Sequence, residues 1–141
     1  NWGRLSVQAE GTYAYLEIRN AKHNQFWAGY VMASLFLTPG DTRVYKRSAG
    51  VYDRVKPKAP LFDKDNPGVG ALELTCRLST IDLNDLTFKG RRMNDTTIGL
   101  NWYLHNNVRV MCNYIYADLK PGKTLLGGRT HIFLIRFQVD F

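Results

Sequence analysis

Apolar and polar residues alternate with a period of two along most of this chain, and helical spacing is hard to find. The alternation predicts strands at residues 4–18, 25–37, 70–81, 96–104, 108–117 and 130–141, and with them an all-β protein. In the last run Phe133, Ile135, Phe137, Val139 and Phe141 point one way, while Leu134, Arg136, Gln138 and Asp140 point the other. Before it, Val108, Val110, Cys112, Tyr114 and Tyr116 oppose Arg109, Met111, Asn113 and Ile115, and Leu72, Leu74, Cys76 and Leu78 oppose Glu73, Thr75, Arg77 and Ser79. The run 25–37 is apolar on both faces, so its sequence gives it no orientation.

Most of these runs have ten or more residues, against the five or six usual in soluble sheets. Eleven residues make roughly 36 Å of strand, and a tilt near 45° turns that into about 25 Å of height, the span of an outer-membrane apolar band. A soluble sandwich also alternates, with its oily faces meeting each other. Strand length, and Trp102, Tyr103, Tyr114 and Tyr116 near strand ends, favour an antiparallel transmembrane barrel.

His105, Asn106 and Asn107 form a tight turn between two strands, rich in the residue that tolerates left-handed geometry. Residues 82–94 and 118–129 read as longer polar loops. Bacterial barrels keep short turns in the periplasm, which makes those two loops extracellular and brings Phe141 to the periplasmic rim. The same parity puts the long connection 38–69 on the periplasmic side, with its basic run Arg43, Lys46, Arg47, Arg54, Lys56 and Lys58. That connection has room for a further strand near residues 42–45, or for a basic plug or tether.

Six strands leave two open edges, and an edge in lipid leaves backbone groups unpaired at several kcal/mol each. Residues 1–141 are therefore expected to be the C-terminal portion of one barrel domain, because a water-filled pore needs about sixteen strands. No leader precedes Asn1, which fits a removed leader or a piece of a longer chain.

Composition narrows the classes further. With 45% hydrophobic and 13% aromatic residues the 141-residue chain is expected to fold, yet no window offers the 18 or so uncharged apolar residues of a membrane helix. Nineteen Lys+Arg against twelve Asp+Glu give +7, which calls for an anionic partner: nucleic acid, lipid headgroups or small anions. A nucleic-acid surface would set aromatics between the arginines, whereas here they fall mostly on the oily face, so no nucleic acid is expected. Cys76 and Cys112 sit in apolar runs outside any metal-binding spacing and read as small buried apolar residues. His23, His105 and His131 lack ligand spacing, and no nucleophile motif or phosphate-binding glycine loop occurs, so neither an enzyme, a metal nor a cofactor is expected.

Five stretches carry a resemblance: 29–37 (GYVMASLFL) continuing into Thr38, Pro39 and Gly40; 50–58 (GVYDRVKPK); 70–85 (GALELTCRLSTIDLND) running on to Gly90 and Arg91; 97–113 (TIGLNWYLHNNVRVMCN); and 136–141 (RFQVDF). In these the chain resembles the C-terminal third or so of the phosphate-selective porin O and P family, departing from its aromatic or small positions at Leu72, Cys76 and Leu78. The resemblance implies an outer-membrane porin, a trimer of barrels of about sixteen strands each, through which anions, phosphate above all, diffuse passively.

On that reading Arg77, Arg109 and Arg136 line the lumen together with Glu73, Asn101 and Asn113, although for any single arginine an ion pair bracing the wall is the stronger expectation. Lys89, Arg91 and Arg92, with Lys120, Lys123 and Arg129, would gather anions or lipopolysaccharide phosphates at the mouth, or stand as plain solvated charge. Phe133, Phe137, Val139 and Phe141 resemble the terminal signal read by the outer-membrane assembly machinery. The alternative is a structural barrel that anchors envelope partners through its basic segment 42–58.

Overall fold

The computed structural model of the chain describes residues 1–17, 23–85, 89–122 and 126–141, with Lys89 described by its backbone only. Six long strands, β1 (Leu5–Leu16), β2 (Asn24–Phe36), β5 (Ala71–Asn84), β6 (Lys89–His105), β7 (Val108–Leu119) and β8 (Gly128–Val139), form one antiparallel sheet. Their order across the sheet is β1-β2-β5-β6-β7-β8, so each pairs with the next long strand in sequence. Two short strands, β3 (Tyr45–Lys46) and β4 (Val51–Tyr52), make a separate hairpin inside the β2–β5 connection. The described residues include no helix, and the sheet does not close on itself.

The register carries one face across all six strands. Leu74 lies opposite Leu35 and Leu100, Leu100 opposite Cys112, and Cys112 opposite Ile135. Directly opposed residues of an antiparallel pair share a face, so the apolar sets read from single strands become one continuous surface. Pairing also orients β2: its partners send Trp27, Gly29, Val31, Ala33 and Leu35 to the apolar face and Tyr30, Met32 and Ser34 to the polar one. Neighbouring strands supply the orientation that an all-apolar run lacks.

Apolar side chains of that surface stand open to the surroundings: Phe133 is 79% exposed, Ile135 80% and Phe137 64%. Cys76 and Cys112 belong to it and are exposed, which corrects the expectation that they are buried. Aromatics stand at its two ends, with Tyr13, Tyr15, Trp27 and Tyr116 near one and Trp102 and Phe137 near the other, while Tyr114 and Phe133 pair at mid-strand. Tyr103 turns the other way, onto the polar face, where it is buried.

The strands run further than the sequence suggests. Residues 82–94, expected as a loop, are largely ladder: Asp82 pairs with Arg92 and Asn84 with Lys89 across a register shift. The expected loop 118–129 loses Asp118 and Leu119 to β7 and Gly128 and Arg129 to β8. In both places the polar residues sit on both faces, which hides the period while the backbone goes on pairing.

The connection 38–69 starts and ends at the same end of the sheet as the Asn106 turn and Val139, and folds back over the polar face as a strap. Its Val55 packs into a small core with Phe36, Ala71 and Tyr103. Burying a valine contributes about 1.5–3 kcal/mol to holding the strap down. Backbone bonds from Leu61 N to Leu104 O and from Gly70 N to Ala59 O pin its second half. The further strand sought near residues 42–45 exists as β3, starting at Tyr45 and pairing with β4 rather than with the sheet.

Gly99 lets the polar face close up: a Cβ there would strike the Thr75 and Asn113 side-chain oxygens. Gly99→Val should cost about 1–3 kcal/mol in urea unfolding of the folded protein. Gly128→Val, where a Cβ meets nothing within 4 Å, should stay within about 0.5 kcal/mol. Equal behaviour of the two variants would refute the close packing assigned to Gly99.

Candidate functional site

The polar face is where charge, burial and space come together. Register aligns Glu73, Asn101, Met111 and Arg136 in one row across β5 to β8, and Tyr103, Arg109 and Gln138 in the next. Arg77 belongs to the row of Thr97, Ile115 and Ile132, and Asn113 to that of Thr75, Gly99 and Leu134. All six residues expected to line a lumen therefore share a face, in distinct environments.

Glu73 is fully buried. Arg43, reaching in from the strap, donates from Nη2 to both its carboxylate oxygens at 2.7 Å and from Nε to Oε1 at 3.2 Å. The Tyr103 hydroxyl donates to Oε2 at 2.9 Å and Asn101 Nδ2 to the same oxygen at 3.1 Å. The carboxylate is thus satisfied beneath the strap and offers no charge to solvent, which corrects its assignment as an open lining residue. Asn101 is likewise turned to Glu73. Burial is the largest influence and works against the Arg43 charge, but the hydrogen bonds and charge interactions with Glu73 and Tyr103 together outweigh it and raise the pKa, so the guanidinium stays charged.

Arg109 stands beside this cluster. Its Nη2 and Nε donate to Gln138 Oε1 at 2.8 and 3.2 Å, and Gln138 Nε2 passes the chain on to Asp140 Oδ1 at 2.7 Å. From the strap, Arg54 donates to Asn107 Oδ1 at 3.1 Å and lies 4.0 Å from the Asp140 carboxylate. An open cavity of about 280 Å³ lies among Arg43, Arg54, Tyr103, His105, Arg109 and Asp140. Its wall carries three guanidinium groups and two carboxylates, those of Asp53 and Asp140. Nearby in the strap, a hydrogen bond from Lys46 holds the Asp53 carboxyl below its ordinary range.

The other two arginines are freer. Arg77 lies over the Tyr30 ring at 4.2 Å, a cation–π contact, and the Tyr30 hydroxyl donates to Glu10 at 3.0 Å while accepting from Gln8 at 2.7 Å. Arg136 is exposed, and no carboxylate among the described residues lies within ion-pair reach of it.

At the opposite end Lys89, Arg91, Arg92 and Arg129, expected as loop cations, are strand residues. Arg91 has a φ of 85° and donates to the Leu126 carbonyl, while its backbone N–H donates to Asn84 Oδ1 at 3.0 Å. Arg92 lies on the apolar face, 5.6 Å from the centre of the Trp27 ring. Lys89 opens β6, and its side chain lies outside the described part. Lys120 and Arg129 flank Asp118 at 2.6 and 3.9 Å, and Lys123 lies outside the described residues. Phe133, Phe137 and Val139 alternate outward on β8, with Phe141 beyond its end.

Sequence reasoning missed Arg43, Arg54 and Tyr103 as parts of this site. The partners of Arg43 stand 30 and 60 residues away along the chain. The nearest signal was a glutamate on a face whose neighbours are uncharged, which calls for a cation from elsewhere.

A family model described as phosphate-selective porin O and P matches residues 2–141. The chain is 32% identical over 143 residues to an uncharacterized protein of Caulobacter vibrioides, covering 99% of this chain and 28% of that protein. It is 27% identical over 125 residues to Porin O of Pseudomonas aeruginosa, covering 82% of this chain and 27% of that protein. The chain thus spans little more than a quarter of either relative's length.

Removing one hydroxyl from the Glu73 cluster should be felt. Tyr103→Phe leaves the buried carboxylate short of a donor and should lower unfolding free energy by about 1–3 kcal/mol. Urea titration followed by tryptophan fluorescence measures it, and an unchanged midpoint would show that the hydroxyl contributes nothing.

Proposed function

Because the chain belongs to the phosphate-selective porin O and P family, we propose that its six strands form part of the wall of an outer-membrane pore, through which small solutes, anions above all, diffuse passively. The observation that carries this reading is the single face of exposed apolar side chains running unbroken from β1 to β8, backed by a face of charged and hydrogen-bonding groups. A surface that oily and that large needs lipid against it. The aromatics at both its ends suit the two headgroup regions.

Twelve residues, as in β1, β7 and β8, rise roughly 40 Å and at a tilt near 45° reach about 28 Å, enough to cross an outer-membrane apolar band. The free edges of β1 and β8 then need further strands, because no water is available in lipid to satisfy them. A closed barrel of about sixteen strands supplies them, and a homotrimer of such barrels is the assembly the family resemblance implies. The strap end would face the periplasm and the opposite end the lipopolysaccharide leaflet, and the outward aromatics of β8 would be read by the outer-membrane assembly machinery.

Within the lumen the arginines divide by partner. Among the described residues Arg136 and Arg77 meet no direct ion pair, whereas Arg109 is tied to Gln138. Unpaired positive charge in a confined aqueous passage raises the local concentration of anions. The family points to a channel rather than an enzyme. An anchoring role for the strap finds less support, since Arg43, Lys46 and Arg54 already meet Glu73, Asp53 and Asp140 within this chain.

Two measurements test the reading. In planar bilayers the whole protein should conduct with an anion preference, and Arg136→Glu should move the reversal potential in a salt gradient toward cations. Absence of any conductance would sink the pore, and an unmoved potential would sink the role of Arg136. On β8, Ile135→Lys faces lipid and should cost about 2–4 kcal/mol of folding stability near the midplane. Its neighbour Leu134→Lys faces water and should cost less than about 1 kcal/mol. The reverse order in urea unfolding from lipid vesicles would invert the two faces.

A further inference from the structure

We propose that Glu73 is a positioning residue for the pore: by latching Arg43 it holds the strap across the polar face, and the strap so held sets the width of the passage at that end. This rests on the pore reading above.

A carboxylate with no accessible surface on the polar face, near the strap end of the sheet, needs a reason. Buried ion pairs add little stability over apolar residues of the same volume, and their best-attested use is to fix one arrangement among several. Among the described residues Glu73 has one cationic partner, Arg43, which contacts both its oxygens and comes from the strap, whereas its donors Tyr103 and Asn101 come from the wall itself. One end of the pair therefore belongs to the wall and the other to a long connection of some thirty residues. The planar guanidinium, binding two oxygens at once, fixes direction as well as distance.

The placement of the latch makes it effective. Asn1, beside β1, donates to the Arg43 carbonyl, while Arg54 reaches Asn107 and Asp140 at the β8 side. Between them Tyr52 and Arg43 face Ser6, Gln8, Met32 and Ser34 of β1 and β2 across a small cavity. The strap thus crosses the inner side of the whole six-stranded sheet, and Arg43 grips it near the centre, at β5 and β6. Arg43 also lies 5.6 Å from the centre of the Tyr52 ring, so the grip extends to the β3–β4 hairpin. Without the pair, Val55 and the Arg54 contacts remain as anchors, and the hairpin loses its central one.

The test uses the whole protein with Glu73→Gln, which keeps the shape and removes the charge, and Arg43→Met, which removes the other partner. Folding is checked first by the heat-dependent gel mobility of the barrel. Trypsin cleavage after Lys46, Arg47 and Lys58 should then run about tenfold faster in either variant, since cleavage follows the population of the opened strap. Single-channel conductance should rise and open-channel current noise increase. Glu73→Asp, which restores the charge on a shorter arm, should recover part of both. The double variant Glu73→Leu with Arg43→Met removes both charges together, and should fold even if the single variants do not and show the same cleavage and noise.

Folded variants with wild-type cleavage rates would overturn the latch. Faster cleavage with unchanged conductance and noise would overturn the link to pore width. Faster cleavage in a protein whose wild type conducts nothing would leave the latch standing and remove the pore reading instead.

Discussion

The pairing register of the six long strands is the constraint on which everything else depends. Side chains alternate strictly, so a slip of one residue between two strands would turn an entire apolar row toward the polar side. Here the rows stay in phase from Leu35 through Leu74, Leu100 and Cys112 to Ile135. That phase separates the molecule into an oily surface and a wet one without any contribution from a conventional core. Little else is buried: the apolar core amounts to a few residues beneath the strap. Stability must therefore come from the ladder and from whatever lies against the oily face.

On the wet side, electrostatics follow from where each charge can find a partner. Glu73 lies under the strap and is neutralised by Arg43, while Asp140 stands at the end of a relay from Arg109 through Gln138. These pairings consume acidic charge near one end of the sheet and leave Arg136, in the row of Glu73, and Arg77, further up the face, without an ion pair among the described residues. An electropositive face arises from an uneven distribution of carboxylates as much as from the number of arginines.

The sheet was legible in the sequence because a period of two survives in any strand with one oily face. β7 and β8 show it directly, and both begin and end within a few residues of the expected bounds. The period failed where both faces change character. In β2 both are apolar, and from Asp82 to Asp95 both are polar, so orientation in one case and strand length in the other came only from pairing. The lumen candidates followed from parity and fell on one face, but which of them is covered did not. Covering depends on Arg43 meeting Glu73 and on Val55 meeting Phe36 and Tyr103, contacts between distant segments that leave no local pattern.

The tie between Arg54 and Asp140 bears on time as well as space. The sheet itself is a meander in which every long strand pairs with the next, so it can be laid down in chain order. The strap belongs to the β2–β5 connection, yet two of its partners, Asn107 and Asp140, exist in place only after the β6–β7 turn has formed and β8 has docked. It cannot settle fully until β8 arrives. A segment encoded between β2 and β5 is thereby locked only after β8, and its docking registers that the strands from β5 to β8 have been assembled.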